Sequence, residues 1–141
     1  MATPYEKDFH AWSLEQASLL KSGSFYKLDI DHLVEEIETL GSSDKNALQS
    51  HLAILLSHLL KIMYQPEKHT RSWDLSIKNA KFIISRLLKQ NPSFKRLLPE
   101  FIQSSYQTAK WEASLQTDID DKKFPKECPW CIDELLEMKD E

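Results

Sequence analysis

The chain has 141 residues, of which 41% are hydrophobic and 28% are charged. These values are typical of a folded globular domain and exclude a disordered or fibrous chain, so we expect one domain over residues 1–141. A content of two glycines disfavours both an all-β fold with tight turns and a glycine-rich phosphate-binding loop. The net charge of −4 argues against nucleic acid as a partner.

The sequence contains no apolar run of the roughly 18 residues that a membrane span needs. Charged residues occupy the N-terminal stretch, where a secretory signal has its apolar core. Cys128 and Cys131 lie close together and do not form a disulfide framework. We therefore expect a cytoplasmic protein with no membrane partner.

The first predicted helix lies within about residues 5–21. Thr3, Pro4 and Glu6 have the form of a helix start, although the start could equally lie near Asp8. Gly23 is a natural stop. Aromatic and apolar residues recur through this stretch at helical spacing: Tyr5, Phe9, Trp12, Leu19 and Leu20.

A second helix is predicted to begin after Asp29, which can cap it, and to end at Gly41. Its expected buried stripe has Val34 on the edge and consists of Ile30, Leu33, Ile37 and Leu40. Glu36 lies on the shoulder of this stripe, about 60° from Leu33. A carboxylate at such a place is partly desolvated and requires a partner.

The central helix of the fold is expected to follow Ser42-Ser43-Asp44, which supply caps, and to end by Gln65-Pro66. Six apolar residues of its stretch 47–64 share one face, with Ile54 nearly opposite: Leu48, Leu52, Leu55, Leu56, Leu59 and Met63. A surface this broad requires neighbours on several sides.

Another long helix is predicted from Ser72, as its cap, to about Asn91. Pro99 lies too deep in the next segment for a first turn, so we expect a short turn followed by a new or kinked helix. The charged, proline-interrupted stretch 122–131 is expected to extend over the surface before a short terminal helix. The sequence thus predicts an all-α fold, a single-domain antiparallel bundle of four main helices plus a short C-terminal helix.

Five stretches of the chain together resemble one known family. They are Asp8-Phe9 with Trp12 and Gln16-Ala17; LDIDHLVEEIETLG at 28–41; HLLK at 58–61 with Gln65-Pro66; Ser72-Trp73 with Asn91-Pro92-Ser93; and Phe124-Pro125 through Cys128-Pro129-Trp130. From Tyr5 to about Leu136 the chain resembles the "domain of unknown function 29" proteins, small bacterial proteins abundant in cyanobacteria. The resemblance implies an all-helical fold and no known activity.

Two positions depart from that family. Gln116-Thr117 stands where the family tends to have Glu-Thr, which weakens a role for a carboxylate there. Cys131 stands where the family usually has a small uncharged residue, so the Cys-Pro-Trp-Cys sequence is expected to be particular to this chain. It lacks the strand and βαβ context of a redox motif and has half of a zinc ligand set. We expect Pro129-Trp130 to anchor the tail and the thiols to be bystanders.

Glu36 and His58 lie on the shoulders of apolar faces on two consecutive predicted helices. A helix hairpin could bring them into hydrogen-bonding distance, and the carboxylate would then raise the pKa of His58. We favour a structural pair that fixes helix register over the floor of a pocket. No metal or other cofactor is predicted, because no Glu-x-x-His occurs, and His51 and His58 lie about 10 Å apart along their helix.

Lys61, Gln65, His69, Arg71 and Trp73 surround the loop after the central helix. This group of cations, an amide and an indole suits an anionic or peptide ligand. The simpler interpretation, which we favour, is that Trp73 belongs to the core and that the charges are solvated.

Our leading hypothesis is a non-enzymatic protein–protein interaction module that binds another protein or forms a homodimer, because broad apolar faces resemble obligate interfaces. The alternative is an enzyme, or a small-ligand or metal-binding protein, with its site around Glu36, His58 and Trp73. No catalytic residue is predicted, and Lys61 and Gln65 complete the candidate contacts. A polar cavity among these groups would favour the alternative, whereas an exposed apolar patch elsewhere would favour the module.

Overall fold

The computed structural model describes residues 4–137, without the side chains of residues 132 and 137. This part of the chain contains five α-helices and no strand: α1 (Phe9–Ser22), α2 (Ile30–Tyr64), α3 (Arg71–Gln90), α4 (Phe94–Thr117) and α5 (Ile132–Glu137). The predicted all-α class, with four main helices and a short C-terminal helix, is confirmed. None of these helices offers an apolar stretch that could cross a membrane.

The chain divides into two compact units, one ending at Ser43 and the other beginning at Asp44. The first unit holds α1, a 3₁₀ turn at Phe25–Lys27 and the first part of α2. The second holds the rest of α2 together with α3, α4 and α5. The single domain over residues 1–141 stays a prediction.

The core of the second unit is built on the C-terminal part of α2. The buried leucines of this part are Leu48, Leu52, Leu55, Leu56 and Leu60. They pack with a buried stripe of α3 (Ile77, Ala80, Ile84, Leu87 and Leu88), with α4 through residues such as Phe101 and Tyr106, and with Leu135 of α5. The predicted face of the central helix is therefore confirmed here, except that Leu59 is partly buried and Met63 is 46% exposed.

α2 continues through the point at which two separate helices were predicted. Gly41 does not adopt a positive φ, which among the glycines is confined to Gly23. The Ser42 hydroxyl donates to the carbonyl of Thr39 over 3.0 Å, and the Asp44 carboxylate accepts from Asn91 Nδ2 over 3.0 Å. Neither side chain caps a new helix start, and α2 is one helix through these residues. The predicted break at residues 41–44 is therefore wrong.

The ends of α1 and α3 are set by caps close to the predicted ones. The Asp8 carboxylate accepts from the backbone N–H of Ala11 over 3.0 Å, so α1 begins after Asp8, the later of the two predicted starts. Thr3 lies outside the described residues. Gly23 ends α1 with φ 75°, as predicted. α3 is capped by Thr70, whose hydroxyl accepts from Trp73 N–H over 3.3 Å, and not by Ser72.

α4 is one helix that contains Pro99. Of the two predicted alternatives, a separate new helix after the proline is therefore wrong. The ring removes one N–H from the helix ladder, while Leu98, Phe101 and Ile102 on either side of it are all buried in the core. Their packing outweighs the local preference of the proline.

Four of the five apolar residues in the first part of α2 are exposed, and the fifth, Leu33, is partly buried. The exposed fractions are 56% for Ile30, 47% for Val34, 65% for Ile37 and 73% for Leu40. We refer to these four residues as the α2 apolar face. The predicted burial of Ile30, Ile37 and Leu40 is wrong, because helical spacing decides which side chains share a face and not whether another element covers it.

The two glycines allow a matched test of the continuous helix. A Cβ at Gly41 meets no atom within 4 Å, so we expect Gly41→Ala to raise the free energy of unfolding by about 0.5–1 kcal/mol. A Cβ at Gly23 is equally free of contacts, but its φ of 75° is left-handed, so Gly23→Ala should cost about 1–2 kcal/mol. Urea unfolding followed by circular dichroism measures both, and a destabilised Gly41→Ala variant would contradict a helix through residue 41.

Candidate functional site

Side chains of α1 and of the start of α2 meet around Asp29. The Trp12 Nε1–H group donates to Asp29 Oδ2 over 3.0 Å, and His32 Nδ1 lies 2.7 Å from the same oxygen. The backbone N–H of Asp29 donates to Gln16 Oε1 over 2.8 Å. Trp12 and Gln16 are both buried. Asp29 therefore joins α1 to α2 in addition to its predicted capping role.

Tyr5 completes this cluster. Its hydroxyl donates to the Glu36 carboxylate, and its ring stacks on His32 with centroids 4.1 Å apart. The hydrogen bond to Glu36, assisted by desolvation, raises the pKa of Tyr5 to about 12. The hydrogen bond with Asp29 raises the pKa of His32 and lowers that of Asp29. His32 is thus an oriented imidazole, whereas Tyr5 keeps its proton at neutral pH.

Sequence reasoning found Glu36 but missed Tyr5, His32 and the second role of Asp29. The available signal was spacing: positions 29, 32 and 36 share one face of a helix, next to the aromatic residues that recur along α1. The described residues include no group of three or more His, Cys, Asp and Glu side chains placed to hold a metal ion.

Glu36 and His58 are not the two sides of a hairpin, because both belong to α2. His58 Nδ1 lies 2.9 Å from the carbonyl of Ile54, one turn earlier in the same helix. Burial lowers the pKa of His58, against the weaker opposite effect of that hydrogen bond. The hairpin and the raised pKa predicted for this pair are therefore wrong.

Lys61 and Trp73 do come together. Lys61 is 5% exposed, and its Nζ lies 4.8 Å from the centroid of the Trp73 ring, within the range of a cation–π contact. The same Nζ donates to Gln116 Oε1 over 2.5 Å. Burial lowers the pKa of Lys61, while the charge of Glu112 opposes this shift. The amide accepts a hydrogen bond but does not neutralise the ammonium group.

Gln65 lies beside this contact and closes the end of α4. Its Nε2 donates to the carbonyl of Thr117 over 3.3 Å. His69 stacks on Trp73 with centroids 6.2 Å apart and hydrogen bonds to Asp74 over 2.5 Å. Lys61, Gln65 and Trp73, three of the predicted contact residues, therefore have partners within the chain, which favours a structural role for them.

A groove of 540 Å³ runs between α2 and α4. It is lined by Asn46, Gln49, Ser50, Ala53, Ile54, Ser104, Ser105, Thr108 and Glu112. Glu112 is the single titratable group of this lining. The groove therefore lacks a pair of groups for acid–base chemistry.

The Cys128 thiol of the Cys-Pro-Trp-Cys segment differs from a redox-active thiol. Both cysteines are free, and the Cys128 thiol donates to the carbonyl of Trp130 over 3.2 Å. Burial raises the pKa of Cys128, whereas reactive thiols have a lowered pKa. Phe124 is buried in the core nearby, and the Tyr106 hydroxyl donates to the Pro125 carbonyl over 2.6 Å. These contacts anchor the segment that precedes α5.

The burial of Lys61 beside a neutral amide leads to a stability prediction. Gln116→Glu places a carboxylate next to the buried ammonium, so we expect the free energy of unfolding at pH 7 to rise by about 1 kcal/mol. The same change at exposed Gln107 of α4 is the control and should change it by less than about 0.5 kcal/mol. Equal effects of the two variants would contradict the assignment.

The gain should also depend on pH. In the wild-type protein the pKa of Lys61 is lowered from 10.5, so its charge destabilises the fold below the folded-state pKa and this cost disappears as the pH rises toward 10.5. The carboxylate of the variant keeps Lys61 protonated. The stability difference between the two proteins should therefore shrink with rising pH in urea unfolding series.

A second prediction concerns His32. We expect NMR titration to place the pKa of His32 above its ordinary 6.5, and Asp29→Asn to lower it. The stabilisation from the pair is then complete just below pH 6.5, where Asp29 is still ionised, and is lost as the pH rises through the folded-state pKa of His32. Asp31→Asn is the control and should leave the pKa of His32 raised. An unchanged pKa in Asp29→Asn would contradict the pair.

No curated protein and no solved structure matches the chain. The family described as "Domain of unknown function DUF29" matches residues 4–139, a range that includes the Asp29 cluster, the Lys61 contact and the anchored C-terminal segment. Because the match covers nearly the whole sequence, the chain belongs to the DUF29 family.

Proposed function

We propose that this protein is a non-enzymatic protein–protein interaction module that binds its partner through the α2 apolar face. The observation that carries the proposal is the exposure of Ile30, Val34, Ile37 and Leu40, between 47% and 73%. Their spacing places all four within an arc of about 120° on one side of the helix. A contiguous apolar surface of this kind marks an interaction site.

Burial of the α2 apolar face would supply part of the free energy of binding. Complete burial of an aliphatic side chain stabilises by about 1.5–3 kcal/mol, so covering four half-exposed side chains contributes roughly 4 kcal/mol. A partner that supplies its own apolar residues adds a similar amount. We expect the partner to present its apolar side chains on a helix that lies against the α2 apolar face.

An enzyme or ligand-binding protein with its site around Glu36, His58 and Trp73 is less well supported. Glu36 accepts a hydrogen bond from Tyr5, and His58 is hydrogen bonded to the Ile54 carbonyl. The ring of Trp73 is covered by the ammonium group of Lys61. None of these contacts leaves a set of groups aimed at a common point. Free thiols at Cys128 and Cys131 suit the cytoplasmic location that is part of the proposal.

Site-specific photocrosslinking in the native host tests the proposal. A photoreactive phenylalanine at Leu40 should give a covalent adduct with protein, and Ile37→Asp in the same chain should abolish it. The same probe at exposed Gln107 of α4 is the control and should give no adduct. Absence of an adduct at residue 40, or an adduct insensitive to Ile37→Asp, would overturn the proposal.

A further inference from the structure

The outer face of α3 carries exposed apolar residues between basic ones. Leu75 is 53% exposed and Phe82 is 66% exposed. They lie seven residues apart and therefore two turns apart on one face. Four exposed basic residues share this face with them: Arg71, Lys78, Arg86 and Lys89. We refer to these six residues as the α3 basic face.

The surroundings of the α2 apolar face have the opposite charge. Up to residue 43 the sequence has three lysines and eight acidic residues. Three of the acidic residues, Asp31, Glu35 and Glu38, are exposed and follow one flank of the α2 apolar face at helical spacing. A partner with apolar residues between basic groups therefore complements this surface.

The two faces also match in spacing. Ile30 and Ile37 lie seven residues apart, as Leu75 and Phe82 do, which corresponds to about 10 Å along each helix. Two helices laid side by side can therefore place both apolar pairs in contact at once. Contact between two α2 apolar faces would instead bring two acidic surfaces together, which is unfavourable.

Building on the proposed function, we propose that the partner of the α2 apolar face is a second copy of this chain, which presents its α3 basic face. The contact joins two different surfaces of the same protein. Each copy carries one surface of either kind, so every apolar face and every basic face can find a partner on another copy. Burial of Ile37 and Phe82 stabilises the complex of the two copies. Attraction between the acidic flank at Glu35 and Glu38 and the basic residues Lys78 and Arg86 determines which surfaces meet.

Sedimentation equilibrium of the full chain and of two charge-reversed variants tests this pairing. We expect the wild-type protein to self-associate below about 0.1 mM and to dissociate as salt increases. Glu35→Lys/Glu38→Lys and Lys78→Glu/Arg86→Glu should each weaken self-association at least about tenfold. An equimolar mixture of the two variants should associate again, because a basic α2 flank then meets an acidic α3 face and the second contact is unchanged.

The control is Lys95→Glu/Arg96→Glu, a reversal of two exposed residues of α4, which should associate like the wild-type protein. Wild-type-like association of Lys78→Glu/Arg86→Glu would overturn the pairing in favour of contact between two α2 apolar faces. A wild-type protein that stays monomeric, or associates more strongly in high salt, would overturn it as well. A monomer that still gives the Leu40 crosslink to a different protein would leave the proposed function standing and remove only the second copy.

Discussion

The continuity of α2 is the constraint on which the rest of the structure depends. One helix of 35 residues carries apolar residues on the same side in its first part and in its second part, and these two sets differ in burial. In the second unit the core leucines of this side are buried, with Leu48, Leu52 and Leu55 at 0% exposure. In the first unit the four residues of the α2 apolar face remain exposed. Because the helix is continuous, the exposed apolar residues lie on the same side of α2 as the residues that form the core.

Polar residues in this protein mainly hold helix ends and helix pairs. Asn91 donates both to the last turn of α3 and to Asp44 of α2, and Gln65 satisfies the end of α4. Asp29 is hydrogen bonded to the indole of Trp12 and to the imidazole of His32. Buried side-chain nitrogen and oxygen atoms in the described part of the chain all have partners, as native interiors require. These residues therefore explain how the helices are fixed and supply no evident reaction.

The helical class and the second-unit core were predictable because they depend on spacing, which the sequence displays directly. Caps were less predictable: Thr70 and Ser72 are chemically equivalent candidates, and the loop geometry that chooses Thr70 is a tertiary property. Gly41 has a glycine's preference for a helix end, yet its cost inside a helix is only about 1 kcal/mol. Continuing the helix through residue 41 adds one backbone hydrogen bond per residue, which outweighs that preference.

The candidate site also contains some contacts that the sequence could predict and others that it could not. Lys61, Gln65 and Trp73 were predicted as neighbours because they flank one loop, and the structure brings them together. The pairing of Glu36 with His58 required a turn between two helices and was lost when residues 41–44 proved helical. The Asp29 cluster and the exposure of Ile37 depend on contacts between segments distant in sequence. Periodicity cannot report such contacts or their absence.

Hydrogen–deuterium exchange at increasing protein concentration tests most directly whether the exposed stripe of α2 is an interface. Amide protection reports the opening free energy of each segment. The account predicts that protection of residues 30–41 and of residues 71–89 rises together as the concentration increases, while residues 94–117 do not change. Protection of residues 30–41 that is independent of concentration and of any added partner would contradict it.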